Sequence, residues 1–197
     1  MPSITPSGRT LEIFAQILDY PTEGTVQSAR ECQKLLAAVS PEAATQMSEF
    51  VRSASRTSLE RLEEIYTSNF DLASSYHPYL GYHLFGETYG RSLFLLALKT
   101  RYRACGFVAS GPDLPDRLST LLRFLAFNTD ESLNQETIRE GMLPALEKMM
   151  NEVPEDNTRA RGGQSAYLHV LKGLKMFLES MLPAPEPAGI SQGRELQ

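Results

Sequence analysis

An all-α, single-domain fold of about eight helices is what the sequence predicts, on three observations. Apolar residues recur at helical three- and four-residue spacing along most of the chain. No stretch alternates apolar and polar residues as a half-buried strand would. Serine, proline and glycine stand where such helices would start and stop. The 197 residues suffice for one substantial core. Residues 1–182 therefore read as one helical domain and 183–197 as a disordered, proline-rich tail.

The first helix runs from Thr10 to Tyr20, with Leu11, Phe14 and Leu18 on one face, and Pro21 stops it. A second, Thr25 to Val39, carries Cys32, Leu35, Leu36 and Val39. Ser40-Pro41 starts a third, which turns Met47, Phe50, Val51 and Ala54 inward. Thr57 and Glu60 form a capping box before Leu59, Leu62, Tyr66 and Phe70. Pro115 begins a helix that buries Leu118, Leu121, Leu122 and Leu125, with Asp116 in its first turn. Thr129 or Asp130 caps the next, whose face is Ile138, Met142, Leu146, Met149 and Val153, and Pro144 should kink it. A polar loop from Pro154 to Gln164 leads to a last helix with Tyr167, Leu171, Leu174, Leu178 and Met181.

Between these lies the stretch from Tyr76 to Arg103. Tyr76, Tyr79, Tyr82 and Phe85 follow one another at three-residue spacing, with His77 and His83 among them and Gly81, Gly86 and Gly90 interrupting. A helix apolar nearly all round, Leu93 to Leu98, follows and ends at Cys105-Gly106. It reads as a buried spine, and the aromatic segment before it as core or as a groove wall, since tyrosine combines apolar area with a hydroxyl.

A net charge of −5 disfavours nucleic-acid binding and with it a helical transcription regulator. No apolar run is long enough to span a membrane. The opening MPSITPSGRT suggests neither a secretory nor a twin-arginine leader, so the cytoplasm is the expected compartment. Cys32 and Cys105 read as free thiols. None of His77, His83 and His169 follows a glutamate by three residues, as a di-iron bundle requires, and no phosphate loop or nucleophile elbow occurs. No metal, cofactor or catalytic group is therefore expected, and a helical metal- or histidine-dependent enzyme built on His77 or His83 is the alternative. Glu60, Glu63 and Glu64 read as a solvated face or an attractant for a basic partner segment.

Several motifs in order carry a family resemblance: LDYP (Leu18 to Pro21), Tyr66 with Phe70-Asp71, YLGYHLFGE (Tyr79 to Glu87) with Arg91, LxxLKxxYRxxGF (Leu95 to Phe107), and DLPDRL with FLAF (Asp113 to Phe127). Over roughly residues 10 to 180 the chain resembles the NarJ-type molybdenum-enzyme assembly chaperones of the TorD-like superfamily. The resemblance implies a helical bundle without catalytic activity. It also implies a partner: the N-terminal segment of the catalytic subunit of a molybdopterin oxidoreductase, nitrate reductase or a relative, kept competent for insertion of the molybdenum cofactor that the client carries. Matching positions are Tyr66, Phe70, Asp71, Leu80, His83, Gly86, Glu87, Arg91, Tyr102, Gly106, Leu114, Pro115 and Asp116. The candidate client-binding residues are Tyr66, Phe70, Asp71, Leu80, His83, Glu87, Arg91, Pro115 and Asp116 of these, together with Tyr82, Phe85 and Asp113. His83, Asp71 and Asp116 are expected to orient or attract an amphipathic client segment laid into a groove. Ser92, Ser119 and Arg123 depart from the glycine, proline and glutamate of many relatives, which leaves open a client acting on chlorine oxyanions, selenate or hydrocarbons.

Overall fold

The computed structural model describes residues 5–71, 76–151 and 164–183, and no strand occurs among them. In chain order the helices are α1 (Pro6–Ile17), α2 (Thr25–Val39), α3 (Pro41–Ala54), α4 (Leu59–Phe70), α5 (Leu80–Phe85), α6 (Tyr89–Ala104), α7 (Leu118–Phe127), α8 (Glu131–Glu136), a π-helical turn (Thr137–Met142), α9 (Leu143–Asn151) and α10 (Gln164–Ser180). Val153, the predicted loop at 154–163 and the tail beyond Pro183 lie outside the described residues.

Local chemistry sets most boundaries. The α1 helix starts earlier than its apolar stripe suggests, because Pro6 occupies its first position and the Thr5 hydroxyl accepts the Gly8 N–H at 3.0 Å. It ends at the Leu18 cap, short of the predicted Tyr20. The cap of α4 is Ser58, whose Oγ accepts the Arg61 N–H, whereas Thr57 donates back to the Ser53 carbonyl. Asp130 caps α8 as expected, and Gly106 ends α6 with a φ of +72°. The distortion expected at Pro144 falls on the turn before it: Thr137–Met142 is π-helical, which absorbs the hydrogen bond a proline nitrogen cannot donate.

The central core joins α1, α2, α3 and α10: α3 packs along both α2 and α10, and α1 lies on α2 and α7. Phe14 stacks on Phe177, and Phe50, Tyr66 and Phe70 gather around the buried ring of Tyr167. Burial holds the Tyr167 hydroxyl protonated well above the usual phenol range. Of the predicted inward faces, Leu62, Tyr66 and Phe70 of α4, Leu118, Leu121, Leu122 and Leu125 of α7, and Ile138, Met142, Leu146 and Met149 are buried, whereas Leu59 is half-buried and Val39 at the end of α2 is exposed. Cys32 is buried and Cys105 partly buried, and both are free thiols.

The predicted buried spine is corrected. Within α6 only Leu98 and Tyr102 are buried, while Leu93 is 49% and Leu96 61% exposed. This helix rests on the outside of the bundle, against α5, with one face inward. Arg101 pins it by donating to Glu136 and Thr137 at the start of the π turn, and the Tyr102 hydroxyl donates to the Pro115 carbonyl at 2.7 Å. An apolar stripe on the other side thus has no burial to explain it.

Candidate functional site: the α5 hairpin and its buried support

The aromatic stretch begins as extended chain, because Pro78 and the bulky residues before it give no helix until Leu80. Tyr76 is fully buried against Phe70, and Tyr79 lies half-buried at the edge. The chain then makes the six-residue α5 and turns at Gly86, whose φ of +62° is a conformation that side chains disfavour. Thr88 bridges this turn by donating to the Phe85 carbonyl at 2.9 Å.

Underneath, the segment Asp113–Leu118 is stitched to Pro78–Gly81. The Leu80 N–H donates to the Asp116 carbonyl and the Leu118 N–H to the Pro78 carbonyl, both at 2.9 Å. The Asp116 carboxylate accepts the Gly81 N–H at 3.1 Å, so a residue from a distant loop caps α5 where Tyr79 offers no side-chain cap. Gly81 is tightly enclosed, since a Cβ there would lie 2.7 Å from Asp116 Oδ2 and 3.0 Å from Phe94 Cδ1, so any larger residue must displace one of them. Arg91 of α6 stands 3.7 Å from the same carboxylate, which is fully buried. Burial raises the Asp116 carboxyl above the ordinary carboxylate range, and the Arg91 charge and the Gly81 N–H oppose that rise.

A second network ties this base to the LDYP turn. Arg117 pairs with Asp113 at 2.8 Å, donates to the Tyr66 hydroxyl at 3.1 Å and approaches Asp19 at 3.9 Å. Tyr66 in turn donates to the Leu18 carbonyl at 3.1 Å. Arg123 of α7 pairs with Asp19 and with Glu12. Asp19 is therefore held by two arginines, and the motif serves as an anchor between α1 and the base of the hairpin.

The sequence-predicted site residues divide into two sets. Tyr66, Phe70, Leu80, His83, Pro115 and Asp116 are buried, so they can shape a surface but not form it. In particular His83 is 5% exposed and its Nε2 donates to the His77 carbonyl at 2.8 Å, a bond that closes the turn leading into α5. Asp116 precedes α7, which starts at Leu118, and faces α5; it does not occupy a first helical turn as expected. The outer set is Tyr82 (36% exposed), Phe85 (41%), Glu87, Asp113 and, at the end of α4, Asp71, with Arg91 partly exposed between the two sets. His77 stacks on Tyr82 at 4.2 Å and 17°, which holds that ring broadside, and Tyr79 donates to Asp113 at 3.2 Å.

In the sequence His77 stands only as a residue of the aromatic stretch and of the histidine-dependent alternative, and Asp19, Gly81 and Arg117 only as members of their motifs. The stacking of His77 on Tyr82 and the contacts of Asp19 and Gly81 emerge from the structure. Asp113 and Arg117 stand four apart in DLPDRL, a spacing that signals their ion pair, whereas nothing local signals that Asp116 reaches Gly81. No group of three or more potential metal ligands is found among the described residues. No described helix is long and apolar enough to cross a membrane. An open groove of about 600 Å³ lies on α2 and α3, bordered by Arg30, Lys34 and Glu49, and contains no histidine or cysteine.

What the arrangement offers is a small aromatic ledge with carboxylates beside it, on a base clamped from below. The family model described as the nitrate reductase delta subunit matches residues 33–156, well over half of the chain, including α5, its support and α6. No curated protein matches the chain. The chain belongs to the nitrate reductase delta subunit family, that of the NarJ-type assembly chaperones.

Proposed function

We propose that this member of the nitrate reductase delta subunit family acts without catalysis of its own, as a client-specific chaperone in the cytoplasm. Its client is the catalytic subunit of a molybdopterin oxidoreductase, nitrate reductase or a relative. It binds the N-terminal segment of that subunit and keeps it competent to receive the molybdenum cofactor, which belongs to the client.

The observation that carries the reading is the α5 ledge, where Tyr82 and Phe85 are exposed on a helix whose start is fixed by buried Asp116. Exposed aromatic rings give an amphipathic segment an apolar surface to lie on, and the tyrosine hydroxyl can bond to backbone at the rim. Exposed Glu87, Asp113 and Asp71 favour a segment carrying lysine or arginine. Because the client segment must be ordered on binding, moderate affinity and ready release are expected. Preorganisation of the ledge by the Asp116 clamp offsets part of that ordering cost on the chaperone's side.

Calorimetric titration with a synthetic peptide of the client's first residues tests this. Tyr82→Ala with Phe85→Ala should weaken binding roughly tenfold or more while the unfolding transition stays cooperative. Unchanged affinity in that double variant would remove the ledge from the client site.

A further inference from the structure

The outer face of α6 carries an apolar stripe that the client reading does not use. Tyr89 is 78% exposed, Leu93 49% and Leu96 61%. They are spaced by four and three residues, and exposed Thr100 and Arg103 continue the same spacing, so all five lie on one line directly opposite buried Leu98 and Tyr102. Spacings of four and three in alternation are those of a helix that pairs with another helix. Exposed Ser92 and Ala97 flank the line and are small enough for two helices to approach closely.

We propose that this face binds a second copy of the chain, with the two α6 helices antiparallel about a two-fold axis and Leu93 of each against Leu96 of the other. Charge selects the occupant and the direction. Exposed Glu87 stands at the N-terminal end of the stripe, and exposed Lys99 and Arg103 at its C-terminal end. A parallel pair would place the basic ends together. An antiparallel pair with Leu93 opposite Leu96 sets Tyr89 opposite Thr100 and brings the Gly86-Glu87 turn of each copy to Arg103 of the other, so both ends are complementary. Each helix is about 24 Å long, which limits the contact to the small end of specific interfaces, so association is reversible and in the micromolar range. This proposal stands independently of the client reading.

Sedimentation velocity of the full chain from micromolar to high micromolar concentration tests it. The wild-type average mass should rise from 21.9 kDa towards twice that value. The variant Leu93→Glu/Leu96→Glu should remain monomeric, with its helical circular dichroism retained because both side chains stand at the surface, about half or more exposed. Glu87→Lys should weaken association by about tenfold, and Glu87→Lys/Arg103→Glu should recover it, because both ends then exchange sign together. A wild type that stays at the monomer mass throughout overturns the proposal. So does a charge exchange without recovery, or a monomeric wild type whose client-peptide affinity falls in Leu93→Glu/Leu96→Glu, which would make the client the occupant.

Discussion

Asp116 is the residue on which the hairpin depends most, since it meets α5, α6 and the loop before α7 from a fully buried position. Removing its side chain strands the Gly81 N–H and the Arg91 guanidinium together, so Asp116→Ala should lower stability by about 1–3 kcal/mol in chemical denaturation. Asp116→Asn keeps an acceptor for Gly81 and should lose less. The folded chain holds the Asp116 proton more tightly than the unfolded chain does. Its stabilising effect relative to Asp116→Asn is therefore greatest in acid, below the unfolded value of about 3.9, and declines as pH rises to the higher folded-state value. Gly81→Ala should cost a similar 1–3 kcal/mol by overpacking, because Asp116 and Phe94 already occupy the space of its Cβ. His169 behaves oppositely to Asp116. Burial lowers its folded-state pKa below the ordinary 6.5, so it contributes stability above that value that is lost as pH falls through the folded value. Unfolding of His169→Gln across that range should show a smaller acid loss than wild type, and an equal loss would assign the slope to other groups.

Among the elements, most helices were legible because each has one buried stripe and a recognisable start: Leu62, Tyr66 and Phe70 on α4, Leu118 to Leu125 on α7, and Ile138 to Met149 across the π turn. The α6 helix departs from its sequence expectation for a physical reason. A helix apolar on every side resembles a core helix in sequence, and neither the outer Leu93 and Leu96 nor the inner Leu98 says which face is covered. The Pro115-Asp116 pair likewise suggests a first helical turn, whereas the backbone pairing of Leu118 with Pro78 delays α7 to Leu118. Tertiary hydrogen bonds of this kind leave no periodic trace. The π turn before α9 leaves one in Pro144, though its position one turn earlier does not follow from the sequence.

For the molecule as a whole, the family and the helical architecture were legible from motifs whose order, more than any single residue, is specific. The candidate site was legible only as a stretch. Burial then divided it, sending Tyr66, Phe70, Leu80, His83, Pro115 and Asp116 to the support and leaving Tyr82, Phe85 and neighbouring carboxylates outside. The networks of Asp19 and Asp116 hold that ledge to α1, α6 and α7. Tyr66→Phe should consequently lose about 1 kcal/mol through its bonds to Leu18 and Arg117, with a smaller effect on client affinity than any change on the ledge itself. Thermal unfolding and peptide titration of the same preparation separate the two effects.

The central claim is that Tyr82 and Phe85 form the client-binding ledge while Asp116 and its partners support it. Titration calorimetry of wild type and Tyr82→Ala/Phe85→Ala with the client's N-terminal peptide tests this most directly. Micromolar or tighter binding in wild type and at least a tenfold loss in the variant, with unfolding still cooperative, is the expected result. Binding that persists in the variant, or no binding by wild type to either peptide or apo-subunit, would contradict the claim.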